Sequence, residues 1–233
     1  MTEATNYIEF IDKYCERVTL GVWDEPLNVI SNIAFFAIAV LLFRYFRKNF
    51  QSDYGRHWDI AILIGFAFCI SIGSTLWHLY AQRWALYTDV IPILLFINLF
   101  LLSCFFRVLK LPLVLVFVCF AVYHLMNTFV QSNFSIDVLN GSIFYVPVFL
   151  CLLSVTLVLL YQKSTLAKLY AYSTVLFAFS LILRTLDLSQ CESFPIGTHF
   201  LWHSSIAIML YWLTKSLMLS AKNDSLGKSP RIN

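Results

Sequence analysis

Residues 58–80, WDIAILIGFAFCISIGSTLWHLY, decide the fold class. A helix needs about 20 consecutive, mostly apolar residues to cross a bilayer, and this run supplies them. Six further runs of the same kind surround it, at 27–46, 86–106, 111–130, 142–161, 166–186 and 198–219. Polar breaks separate them, from Tyr54 to His57, Gln82 to Trp84, Arg107 to Lys110, Gln131 to Gly141, Gln162 to Ser164 and Leu188 to Gly197. Apolar residues make up 60% of the 233 residues and charged residues 12%, whereas a soluble domain carries roughly 25% charged residues. So few charges cannot cover so much Leu, Phe and Val in water, so lipid is the solvent. The expected fold is all-α: one membrane domain over residues 1–233, a bundle of seven transmembrane helices, with 220–233 as a short tail.

Lys and Arg placement sets the orientation. Arg44, Arg47, Lys48, Arg56, Arg107, Lys110, Lys163, Lys168, Lys215, Lys222, Lys228 and Arg231 fall on one side, and Lys13, Arg17, Arg83 and Arg184 on the other, twelve against four. The N-terminus is therefore expected outside and the C-terminus in the cytoplasm, which an odd number of spans permits. Met1 to Glu25 is acidic, through Glu3, Glu9, Asp12, Glu16, Asp24 and Glu25, and has no basic segment followed by an apolar one. No cleavable signal peptide is expected, and the first helix directs insertion. The net charge of +3 lies in short clusters between apolar runs, which excludes a nucleic-acid partner.

Ionisable groups inside membrane spans are costly, so each is a functional hypothesis. Ser74 and His78 are four residues apart and share a helix face. Asp89 follows across a short loop. His199 and His203, again four apart, open the last run. The topology puts these five at one membrane depth, near the outer end. Three neutral imidazoles with one position left to water is the plan of a catalytic zinc site. Zinc makes a nucleophile of its water, a carboxylate such as Asp89 can carry the proton, and a hydroxyl such as Ser74 can bond the developing oxyanion. The plainer reading of an intramembrane His is a hydrogen bond between helices. That reading is preferred for His124, while His57 reads as a solvated loop residue.

These residues resemble the alkaline ceramidase family, within a superfamily of seven-helix membrane hydrolases that includes the adiponectin receptors. Tyr14-Cys15-Glu16 resembles its Trp-Cys-Glu, and Glu25 with Asn28, Ser31 and Asn32 resembles its Glu-x-x-Asn-x-x-Ser-Asn at the first helix. Gly73-Ser74-x-x-x-His78, Asp89-x-x-Pro92 and His199-x-x-Trp202-His203 resemble its later helices. Tyr14 to Arg17 and Gly197 to His199 look most like the bacterial branch, which implies a bacterial inner membrane; a eukaryotic member would sit in the ER or Golgi. The resemblance implies zinc on His78, His199 and His203, Asp89 as proton carrier and Ser74 as oxyanion stabiliser. It implies hydrolysis of ceramide, or a related sphingolipid, at its amide to fatty acid and sphingoid base. The substrate is then a membrane lipid. Another acyl lipid cleaved by the same site, and a zinc-binding receptor without turnover, stay open.

Cys15 and Cys191 both fall on the outer side, where disulfides persist, and the resemblance implies that they pair; the alternative is two free thiols. Cys69, Cys104, Cys119 and Cys151 lie within runs and read as packing residues. The family's eukaryotic members also bind calcium near the N-terminus. Glu16 and Glu25 match that pattern, but Lys13 stands where an acid is expected, with Asp12 adjacent, and Val18 where an Asn is expected. Calcium takes six to eight oxygens, so this set is incomplete. The alternative is a helix cap by Asp24 and Glu25 before Pro26. Arg184 and Asp187, spaced i, i+3, are expected to pair with each other.

Overall fold

A computed structural model describes residues 10–51 and 54–225. Glu3, Glu9, Lys228, Arg231 and the end of the expected tail lie outside the described residues. Seven helical segments are long and apolar enough to cross a membrane: Pro26–Phe50, Tyr54–Tyr80, Arg83–Val108, Leu113–Asn133, Val138–Tyr161, Ala167–Leu186 and His199–Asn223. The chain is thus an all-helical, multi-pass integral membrane protein. Its α-helices are α1 (Pro26–Ser31), α2 (Ile33–Phe50), α3 (Trp58–Tyr80), α4 (Arg83–Ser103), α5 (Leu113–Asn133), α6 (Val146–Tyr161), α7 (Ala167–Leu186) and α8 (His199–Ser225).

The differences from the apolar runs have local causes. The first run, expected at 27–46, is two helices that meet at the buried Asn32, and it begins with Pro26 in the first turn, where no N–H is needed. The run expected from 142 opens as a 3-10 segment, Val138–Tyr145, with Leu139, Asn140 and Gly141 at positive φ, before Pro147 starts α6. α4 ends in a π turn, Cys104–Val108. That turn carries Arg107 onto Asp59, where Nε and Nη2 each donate at 2.7 Å to the two carboxylate oxygens. Ser103 adds a bond to the same carboxylate at 2.8 Å. The pair locks the start of α3 to the end of α4 at the end of the bundle away from the N-terminal segment. His57, expected to be solvated, is instead buried edge-on against Phe50. His124 lies exposed on α5, against Phe120 of its own helix at 4.5 Å, and so makes no bridge to another helix.

Lipid explains the outer faces. α5 turns Val114, Leu125 and Phe129 outward, each more than 60% exposed, which water would not tolerate. Inward-facing Phe, Leu and Ile of α2, α3, α4, α6, α7 and α8 form one continuous core.

The closest helix approach is between α3 and α4, and two residues cause it. Pro92 has no N–H, so the carbonyl of Thr88 one turn earlier has no intrahelical donor. That carbonyl faces Gly73. A Cβ built on Gly73 would lie 1.9 Å from the Thr88 oxygen, so only glycine lets the backbones meet here. The next residue on each helix is Ser74 and Asp89.

Gly73→Ala should therefore force α3 and α4 apart. Overpacking of this kind costs typically 1–3 kcal/mol, so the unfolding midpoint in detergent should fall. Gly65→Ala on the same helix, where a Cβ meets nothing within 4 Å, should leave the midpoint unchanged or raise it. Equal midpoints for the two variants would show that the close approach does not matter.

Candidate metal centre and its cavity

The N-terminal segment folds over one end of the bundle and is held there three ways. Ile11 N–H bonds the Ala81 carbonyl at 2.8 Å, in the turn between α3 and α4. Cys15 forms a disulfide with Cys191, Cα to Cα 5.0 Å, across 176 residues of sequence. Asp187, fully buried, accepts from the backbone N–H of Cys15 at 3.1 Å, of Thr198 at 2.6 Å and of His199 at 2.9 Å. It is thereby the N-terminal cap of α8. Its partners are backbone donors rather than Arg184, so the expected Arg184–Asp187 pair is replaced. Gly197, at φ +63°, is required here, because a Cβ would lie 2.2 Å from the Asp187 oxygen.

Under this segment lie His78 of α3 and His199 and His203 of α8, all buried, each offering a ring nitrogen within 4.8 Å of the others. Their outer partners fix which nitrogen carries a proton. His78 Nδ1 meets the Glu25 carboxylate at 2.5 Å. Glu25 also accepts from Arg17 Nε at 2.5 Å and Asn28 Nδ2 at 3.0 Å. Burial raises the Glu25 pKa, but the His78 bond and the Arg17 guanidinium outweigh it and hold the group below the ordinary carboxylate range. An ionised Glu25 makes His78 Nδ1 the donor. His203 Nδ1 lies 2.7 Å from the Ser31 hydroxyl and also bonds the Asn28 carbonyl. The Ser31 hydroxyl spends its own proton on that carbonyl, at 2.9 Å, so His203 Nδ1 is likewise the donor. In the neutral form of each ring Nε2 then carries the lone pair, and the two Nε2 atoms face each other at 3.2 Å.

Two lone pairs aimed together repel, and a cation relieves the repulsion. His199 adds a buried Nδ1 with no hydrogen-bond partner, its ring stacked on Tyr14 at 3.9 Å. Burial pushes the Tyr14 hydroxyl up to about 12, so it stays neutral. Three imidazoles, two of them oriented from behind by a carboxylate and a hydroxyl, could together hold a metal ion. The set suits zinc, with His as a preferred ligand.

Asp89 and Ser74 border the same space. Ser74 stands beside Asp89 in this lining, and Asp89 Oδ1 is buried without a partner. Arg184 is there too, with Tyr14 in the same lining, and lies over the rings of Trp202 at 5.4 Å and Tyr145 at 5.6 Å. These groups form the polar head of a cavity of about 870 Å³, counting its open mouth. Below them its wall is apolar, through Phe96 and Phe100 on α4, Leu152 on α6, Phe177 on α7 and Leu210 and Leu213 on α8. From His199 to Leu213 this wall runs about 20 Å along α8 at 1.5 Å per residue.

The acids considered for calcium are otherwise engaged. Glu16 accepts from the N–H groups of Leu27 at 2.6 Å and Asn28 at 2.9 Å, so it, rather than Asp24 or Glu25, caps α1. Its pKa is nevertheless raised, chiefly by burial. Asp24 accepts from Val18 and Thr19 and closes the turn before α1. Asp12 is exposed. With Glu25 held by Arg17 and His78, this arrangement does not fit a calcium ion. The work of Arg17, Ser31, Asp187 and Arg184 depends on contacts between distant parts of the chain and carried no spacing signal. Ser31 and Arg17 stood within quoted motifs, without a role.

No family model, no curated protein and no solved structure matches this chain.

The purified protein should carry about one equivalent of divalent metal by elemental analysis, and His203→Ala should lose most of it. Ser31→Ala removes only the acceptor behind His203, so affinity should fall on the order of 10-fold, within the range for such outer partners. Retention should also fall in acid, because protons compete for the imidazoles. Equal metal in the wild type and in a variant lacking both His199 and His203 would refute the site.

Proposed function

We propose that this protein is a zinc-dependent intramembrane amide hydrolase of the alkaline ceramidase type, which releases a fatty acid and a sphingoid base from ceramide or a related sphingolipid. The observation that carries the reading is one cavity with two ends. Two imidazoles, those of His199 and His203, with a carboxylate and a hydroxyl stand at its head, His78 is grouped with the two imidazoles behind them, and a long apolar wall follows for an acyl chain. Such a cavity buries a chain while presenting the carbonyl next to it to the polar groups.

Zinc, when bound, supplies a Lewis acid and brings the pKa of a water towards neutrality. The protein's own groups do the rest. Asp89 stands beside Ser74 and has its Oδ1 free. The free oxygen takes the proton of the attacking water and passes it to the leaving nitrogen as the C–N bond breaks and the C–O bond forms. The neighbouring Ser74 hydroxyl donates to the carbonyl oxygen at the moment charge develops there. The products are a carboxylic acid and an amine, so water is the only co-reactant. Tyr14, stacked on His199 beneath the N-terminal segment, limits the entry of further water from above.

The head of the cavity is assigned to the non-cytoplasmic side. The twelve-to-four division of Lys and Arg supports this, and so does the disulfide at that end, since disulfides persist in oxidising compartments. A reporter fused after Asn233 should be cytoplasmic; export or glycosylation of it would reverse the assignment.

The mechanism requires different signatures from different variants. Asp89→Asn should nearly abolish release of fatty acid from ceramide, followed by mass spectrometry, with the metal retained. Ser74→Ala should lower turnover roughly 100- to 1,000-fold, the cost of one oxyanion donor. Wild-type turnover in Asp89→Asn would remove Asp89 from the chemistry. A wild type that binds zinc yet hydrolyses no acyl amide would point to a non-enzymatic, receptor-like protein.

A further inference from the structure

Arg184 and Asp89 border one buried cavity with opposite charges, yet they do not bond to each other. Asp89 Oδ1 and Arg184 Nε are both buried without hydrogen-bond partners. A guanidinium has five N–H donors, and Tyr14 stands with this one in the cavity lining. Tyr145 and Trp202 wall it with aromatic faces, which stabilise a cation but accept no strong hydrogen bond. A buried charge is costly unless paired, and in a membrane it is a functional hypothesis by default. Neutral imidazoles contribute no negative charge to the same cavity head. Asp89, the one carboxylate lining it, can balance a single positive charge. Arg184 and Asp89 thus offset each other in net charge without bonding, and Arg184 Nε is left in need of an acceptor close to the place where the head of an acyl lipid would sit.

We propose that Arg184 is a specificity-determining residue that reads an anionic oxyacid group, a carboxylate or a phosphate, on the lipid close to its amide. The proposal rests on the amide-hydrolase reading and narrows its substrate class from neutral ceramide to anionic acyl amides. The amide lies between the two unpaired groups, its nitrogen towards Asp89 and its anionic substituent towards Arg184. Charge-assisted bonds to a guanidinium are about twice as strong as neutral ones and are frequently bidentate. A neutral head leaves the buried donors unpaired, and that is the strongest basis for discrimination between similar substrates.

Two matched pairs of lipids test this on the full-length protein: N-palmitoylglycine against N-palmitoylethanolamine for a carboxylate, and ceramide 1-phosphate against ceramide for a phosphate. Binding is measured first, on protein stripped of metal by chelation, so that turnover plays no part. At least one anionic member should bind tenfold or more tightly than its neutral partner, and the pair that does so identifies the anion. Arg184→Gln should bring that ratio to near one, and Arg184→Lys should restore part of it. In the metal-loaded protein the same preference should appear in kcat/KM. Equal affinity for both members of both pairs, or a preference that survives in Arg184→Gln, overturns the assignment of Arg184 and leaves the hydrolase reading intact. A preference in binding without hydrolysis of any of the four lipids overturns the hydrolase reading instead and leaves anion recognition standing.

Discussion

Glu25 is 2% exposed and ionised in the interior of an apolar bundle, and that one charge organises everything near it. A buried carboxylate must be compensated by close donors. Here they come from three places: Arg17 in the N-terminal segment, Asn28 in α1 and His78 in α3. Meeting the demand of one carboxylate thus joins three parts of the chain. It also selects the His78 tautomer that turns a lone pair towards His203. Arg17 extends the link, since its other nitrogens donate to the carbonyls of Gly21 at 2.9 Å and His78 at 2.7 Å.

A second constraint is steric. The pairing of Gly73 with a carbonyl released by Pro92 lets α3 and α4 touch at backbone distance, and the neighbours of that contact are Ser74 and Asp89. Side chains held by helices in contact are placed more reproducibly than side chains on loops. The other two histidines, His199 and His203, need no such contact. One helix face carries both, and Asp187 fixes where that helix begins.

Much of this was legible from spacing, because helices make spacing physical. Ser74 with His78, and His199 with His203, are a turn apart, and hydrophobic length alone sets the number of crossings. What sequence could not show is where polar groups find partners across the fold. An i, i+3 spacing suggested that Arg184 would bond Asp187, but the unpaired N–H groups at the start of α8 claim Asp187 first. His57 sits in a polar break and yet is buried, because the 3-10 turn of Tyr54–His57 folds it onto Phe50. The acids around α1 read equally as a cation site or as caps. Arg17, a residue to which its motif gave no role, decides their arrangement by supplying a fixed positive charge among them.

The 176 residues that separate the two ends of the disulfide have a consequence for biosynthesis. At the usual 5–20 residues per second, His199 leaves the ribosome on the order of ten seconds after His78. During that interval Cys15 and His78 are already in place while Cys191, His199 and His203 do not yet exist. The first helices therefore wait in the bilayer as an unfinished half, with a thiol open to mispairing and a histidine still without its two neighbouring imidazoles. Arrival of the last helix closes both at once. The early Arg17–Glu25 ion pair and the Glu25–His78 hydrogen bond keep that waiting half in register until it does.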